Sequence, residues 1–344
     1  SSAGPVSLRP RLAGRTLSDP RSLRFSMDLT LLRPVLLVTL PLAAGYVVRR
    51  RRWLGERFAE KAMALIVALG YPTGGFFAIW GMGLEWSDFW LPGLGVVQVG
   101  TMAAVGIGLG RLVTRDEATR GLIALGSALG NSGFTMGGLI LYQLYGVEGL
   151  GLMSIYCLMW TPVTVLLTYP IARHYAPGQP RRALGPLILR SVFDWRSVGL
   201  PMLLTAAWLS LAGVPMPQIV GELHLVDVIV YVVTVTAYFC IGLRLHVGRF
   251  RRAGRLIAAV AASRFGIAAG VGCLLAFGTQ LTPWPLDETG RSVIVIEACV
   301  PTAVTMVGVA NMFGVKPRDA SLLFVVNTLM YLALVLPVIL LIYG

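Results

Sequence analysis

Charge is what this sequence has least of. Only 13% of its 344 residues are Asp, Glu, Lys or Arg, against 56% hydrophobic residues. A soluble domain of this length needs more charge to cover its surface, so a soluble globular fold is excluded. Lysine is nearly missing, with Lys61 and Lys316 the only two, so the basic residues are almost all arginine. Cysteine is sparse and scattered: Cys157, Cys240, Cys273 and Cys299 stand alone in apolar runs, without metal-ligand or redox spacing, and read as small buried residues. Histidine is limited to His174, His224 and His246, and there is no HExxH, Walker loop or GxSxG. The sequence therefore points to no enzyme, cofactor or metal, and without a soluble nucleotide domain to no ATP-driven pump. The net charge of +13 does not imply nucleic acid, because no basic run is interleaved with stacking aromatics.

What the sequence does have is long apolar runs. They fall at about 29–48, 62–81, 92–110, 121–142, 149–171, 198–213, 223–243, 256–277, 291–311 and 319–342. Most are long enough for a hydrocarbon core of roughly 30 Å, which takes about 20 helical residues; the sixth is short. Forty glycines and twenty prolines fit helices that pack closely and break, since neighbouring spans satisfy the freed backbone groups. An all-α multi-pass membrane protein of ten transmembrane helices is the expected fold class.

The loops alternate in charge. One side carries Arg49, Arg50, Arg51, Arg52, Arg57 and Lys61, then Arg111, Arg115 and Arg120, then Arg173, Arg181, Arg182, Arg190 and Arg196. It continues with Arg244, Arg249, Arg251, Arg252 and Arg255 and ends with Lys316 and Arg318. The other side holds Arg291 alone among acids such as Glu85, Asp88, Glu148 and Glu222. The split is 21 to 1, which makes the first side cytoplasmic and turns both ends of the helical region outward. The expected membrane is a bacterial inner (plasma) membrane, ahead of an organelle membrane. Residues 1–26, rich in Arg, Ser and Pro, read as an unstructured tail whose composition also suits a transit peptide.

A polar stretch at 173–197 divides the remainder into five-helix repeats, 27–172 and 198–344. Because five is odd, two similar halves must be inverted. Thr135-Met136-Gly137-Gly138 in the fourth span echoes Thr305-Met306-Val307-Gly308 in the ninth. Inverted repeats with interrupted helices are a recurring build of secondary transporters. In the fourth span Gly130-Asn131-Ser132-Gly133 gathers weak helix formers, and in the ninth Pro301 removes a backbone donor beside Thr302, Thr305 and Gly308. Breaks are expected near 131–138 and 301–306, the two helices crossing there. Each second half-helix would aim its positive end at a central cavity, which favours an anion. Glycine-rich stretches also serve plain close packing. Substrate contacts are expected from Asn131, Ser132, Gly133, Thr135, Pro301, Thr302 and Thr305.

Glu297 is the sharpest single residue. A carboxylate deep in an apolar run is expensive unless used or paired, so it is assigned to coupling with Na+ or H+; an interfacial position near Arg291 or a structural pair are the alternatives. Arg264 is read as snorkelling to the cytoplasmic side, Asp227 as interfacial, and Asn311 and Asn327 as bonding neighbouring helices.

At these residues the chain resembles the auxin efflux carrier family, whose fold is shared with the bile acid:sodium symporters. The likeness rests on Asn131-Ser132-Gly133-Phe134-Thr135-Met136-Gly137, on Gly242-Leu243-Arg244-Leu245, and on the run from Ala298 through Pro301 and Asp319 to Pro337. It implies a panel domain, a transport domain with two helices crossing at their breaks, and substrate held partly by Asn131. Two positions depart from the family pattern: Gly137-Gly138 replaces the proline common after the first crossover, and Glu297 stands where auxin-type carriers have a small residue and sodium-coupled relatives a nearby glutamate. The expected function is a secondary carrier exporting a small organic anion, a carboxylate. A sodium-coupled importer and a non-transporting membrane sensor or scaffold are the alternatives. The lipid bilayer is the expected partner, with a homodimer as an option.

Overall fold

The computed structural model describes residues 20–176, 178, 185, 198–245 and 253–344, with side chains from 32 onward. Among the described residues every regular element is helical, which is what a bilayer interior demands of a chain that must satisfy its own backbone. Helix α1 is Pro20–Arg50, α2 Glu56–Gly81, α3 Trp86–Val113 and α4 Glu117–Ala128. The stretch Gly137–His174 is turned at Gly146, whose φ of 60° and ψ of −141° are not helical, so it divides into α5 (137–145) and α6 (147–174). Then follow α7 Gly199–Leu211, α8 Gln218–Glu222, α9 Leu225–Arg244, α10 Gly254–Leu281, α11 Glu288–Cys299, α12 Val304–Phe313 and α13 Pro317–Tyr343.

Seven of these stretches are long and apolar enough to cross a membrane, the build of a multi-pass membrane protein: Leu32–Arg50, Glu56–Gly81, Trp86–Val113, Gly137–His174, Leu225–Arg244, Gly254–Leu281 and Pro317–Tyr343. The other three apolar runs read from the sequence take different forms. The run at 198–213 is the 13-residue α7. Those at 121–142 and 291–311 are interrupted, as α4 with α5 and α11 with α12, so neither contains one long helix. Of the tail expected to be unstructured, residues 1–19 lie outside the described residues, whereas 20–26 form the first turns of α1. Pro20 suits a helix start, where its missing N–H costs nothing. Of the linker at 173–197, residues 173 and 174 finish α6; most of the rest lies outside the described residues.

Among the described residues, four helices contain a widened, π-helical turn. Those at Ile66–Gly70, Thr164–Thr168 and Tyr331–Val335 each end two residues before a proline, Pro72, Pro170 or Pro337, and absorb the lost backbone donor. The fourth, Ala262–Ile267 in α10, has no such proline and carries Arg264.

The helices pack in two groups. Helix α1 lies along α9, α9 on the start of α2, and α7 against Tyr71–Gly81 of α2. The α1–α9 contact is close: a Cβ on Gly242 would strike the Leu42 carbonyl oxygen, and one on Gly45 that of Phe239. In the second group α3 lies along α4, α10 on α11, α11 on the Gly137–Tyr156 stretch, and α13 on α10. The Tyr71–Gly81 part of α2 also packs on Gly137–Tyr156 and joins the groups.

Candidate functional site

Both interruptions lie in the protein interior. From 121 to 141 every residue is buried except the half-buried Ser132, and 296–303 are buried throughout. The first break spans 129–136 and the second 300–303. Residues 304–306, expected to be unwound, form the first turn of α12. The break there is confined to the residues around Pro301, because the chain after the proline is free to resume helical geometry.

The two breaks satisfy one another. The Asn131 N–H donates to the Pro301 carbonyl at 2.7 Å and the Ala303 N–H to the Leu129 carbonyl at 2.8 Å, bracketing a short antiparallel bridge between Gly130 and Thr302. The Thr302 hydroxyl adds a bond to the Gly126 carbonyl at 3.1 Å. Backbone groups that a broken helix would leave unpaired at this depth thus find partners in the other break. Helix α9 braces the first break from the side: the Tyr238 hydroxyl donates to the Thr135 carbonyl at 2.6 Å, and the Thr234 hydroxyl to that of Phe134 at 3.2 Å. Tyr71 of α2 stacks on Phe134, ring centroids 5.3 Å apart.

Four half-helix ends meet here, and three are covered by the protein itself. Arg264 covers two. It is 2% exposed, and its Nε and Nη2 donate to the Val300 carbonyl at 3.0 and 2.6 Å while Nη1 reaches that of Ser127 at 3.4 Å. These carbonyls belong to the C-terminal ends of α11 and α4, where the helix dipoles are negative. The snorkelling expected of Arg264 is thereby overturned. The apolar stretch offered no sign of the carbonyls that two other segments bring to it.

Glu297 covers the third end. It is 1% exposed and its carboxylate lies against Gly137, the first residue of α5, where the dipole is positive. The Ser132 hydroxyl and the Gly133 N–H stand beside it, yet neither carboxylate oxygen has a partner at hydrogen-bond geometry. Arg264 is within electrostatic reach but makes no salt bridge to it. Burial removes the interfacial position considered for this residue.

The fourth end is the start of α12, and it opens on a cavity of about 380 Å³. Among the described residues neither the Val304 nor the Thr305 N–H has an acceptor. Asn131, Ser132, Gly133, Thr135 and Thr305 line this cavity, as do Val304 and the aromatic residues Tyr71, Phe134, Trp160 and Tyr169. Pro301 and Thr302 do not line it, their backbone and hydroxyl being engaged between the breaks; Glu297 is also absent from its walls. No Lys, Arg, His, Asp or Glu lines the cavity among the described residues. The Asn131 side chain accepts from the Thr135 hydroxyl at 2.8 Å, while its Nδ2 is buried without a partner.

Other polar residues take positions that the sequence did not reveal. Asn327 is fully buried with both amide atoms unpartnered, rather than bonded to a neighbouring helix, and Asn311 is exposed. Asp227 accepts from the Tyr142 hydroxyl of α5 and lies 3.2 Å from His224 Nδ1. No protein-family model matches the chain, and no curated protein matches it either.

Proposed function

We propose that this chain is a secondary membrane carrier for a small organic anion, a carboxylate. The carrying observation is the uncovered N-terminal end of α12, which meets an aromatic-walled cavity at the level of two mutually bonded helix breaks. A carboxylate there accepts from the Val304 and Thr305 N–H groups and from Asn131 Nδ2, and the helix dipole adds attraction. With no basic side chain in the walls among the described residues, the site favours a single negative charge on an apolar body over a di- or tricarboxylate.

The reading extends to the whole chain. We take the ten apolar runs as ten spans in two inverted five-helix repeats, the fourth and ninth crossing at their breaks. The packing supports this: the first two spans of each half, α1, α2, α7 and α9, form one group, and the last three of each half form the other. That division suits a panel and a transport domain, as the resemblance to the auxin efflux carrier family implies, with substrate bound where the domains meet. Charge bias assigns the arginine-rich loops to the cytoplasm.

A second reading, coupling to Na+ or H+ at Glu297, is favoured by its two buried, unpartnered oxygens. The test is the melting temperature of purified protein against a series of carboxylates, with and without sodium. A real ligand raises it by mass action. If none of the carboxylates does, the protein is a membrane sensor or scaffold and not a carrier.

A further inference from the structure

We propose that Arg264 is a resident cation that fills, with its guanidinium, the place at the crossed breaks where carriers of this general build hold a sodium ion. Half-helix C-terminal ends and unwound carbonyls are the groups that ligate a coupling cation in broken-helix transporters. Here the Val300 and Ser127 carbonyls, from two such ends, accept from Arg264 instead. The site is shaped for the guanidinium: a Cβ on Gly130 would collide with Nη2, so the first break offers a bare Cα against the charged group. Among the described residues, the widened turn at Ala262–Ile267 is the one such turn without a proline to cause it, and it contains this residue. Widened turns of this kind are frequent at functional sites.

The consequence concerns which cation this chain can use. A buried guanidinium with no carboxylate at salt-bridge distance among the described residues is tolerable because two negative helix ends face it. It also supplies the positive charge that Glu297 needs across the break. With the guanidinium in place the break takes no sodium. This inference rests on the carrier reading for its meaning, though not for its test.

The test is thermal stability of the purified protein in choline, sodium or millimolar guanidinium chloride. Wild type melts at the same temperature in choline and in sodium. R264A melts several degrees lower in choline and recovers part of that loss in guanidinium or sodium, which re-enter the carbonyl cradle. R264K keeps a charge without the planar fork, melts between the two, and stays indifferent to sodium. Sodium stabilisation of wild type or of R264K would overturn the proposal. So would an R264A protein as stable as wild type in choline, or one that responds to neither cation. If R264A yields no folded protein, wild type and R264K decide. Because the readout is cation binding, failure to bind any carboxylate would sink the carrier reading and leave this inference standing.

Discussion

The Glu297 carboxylate rests on the bare Cα of Gly137, so that a single added methyl group on α5 would occupy the space its oxygens fill. The relationship links the two breaks, since Glu297 lies on α11, just before the second, and Gly137 begins α5, just after the first. It makes Gly137→Ala a sharp probe. We predict a loss of about 1–3 kcal/mol in stability, the range for overpacking a close-packed interior. Gly133→Ala meets open space but a φ of 85°, and separates backbone strain from collision with the carboxylate. Denaturation of the two variants in detergent checks the assignment; G137A as stable as wild type would show that the carboxylate moves aside freely.

Glu297→Gln keeps the shape and removes the charge. We predict that it abolishes the response of transport to an imposed proton gradient while carboxylate binding persists, because Glu297 lies outside the cavity walls. Flux measured with and without sodium and pH gradients decides. Full dependence in the variant would mean that the coupling group lies elsewhere.

Away from the bilayer, Lys316 Nζ lies 2.7 Å from Asp116 Oδ2 and donates to the Thr119 hydroxyl at 2.7 Å, tying the start of α4 to the start of α13. Hydrogen bonds from Lys316 and then Thr119 lower the Asp116 carboxyl to about 2. Its folded value lies below the unfolded value of about 3.9, so its contribution is fully present above about pH 4 and is lost as pH falls through about 2. Asp116 is half exposed, and water screens the pair. A double-mutant cycle with D116N and K316M should give a coupling of only about 0.2–1 kcal/mol, smaller in high salt. A larger, salt-insensitive value would contradict this surface placement.

The charge bias makes a prediction of sidedness. In a background without the native cysteines, Glu85→Cys should react with an impermeant reagent from outside and Glu117→Cys only after permeabilisation. Both positions are exposed. The reverse labelling would invert the proposed orientation.

Much of the helical plan was legible because bilayer helices announce themselves by apolar length, and Gly130-Asn131-Ser132-Gly133 and Pro301 announced the interruptions by chemistry alone. Their extents were not legible. The repeated Thr-Met falls inside the first break at Thr135 and inside a helix at Thr305, because a local echo does not fix where backbone pairing between breaks stops. The electrostatics were half legible. Glu297 stood out as a costly charge, but its place over Gly137 depends on an approach between segments 160 residues apart in sequence. Arg264 was misread for the same reason: its partners, Ser127 and Val300, lie far from it along the chain. The signal that could have found it was its position mid-span together with breaks in two other spans, whose orphan carbonyls require a donor.

The central claim, that an organic anion is carried through the cavity at the breaks, is tested most directly by counterflow in proteoliposomes. Vesicles loaded with an unlabelled monocarboxylate of apolar body should transiently accumulate the labelled compound against its gradient. Asn131→Ala, which removes the buried amide from the cavity wall, should slow that uptake at least tenfold, the loss expected when a buried polar contact worth about 1.4 kcal/mol or more is removed. Absence of counterflow for every carboxylate tried, from protein that remains folded in the vesicles, would contradict the claim.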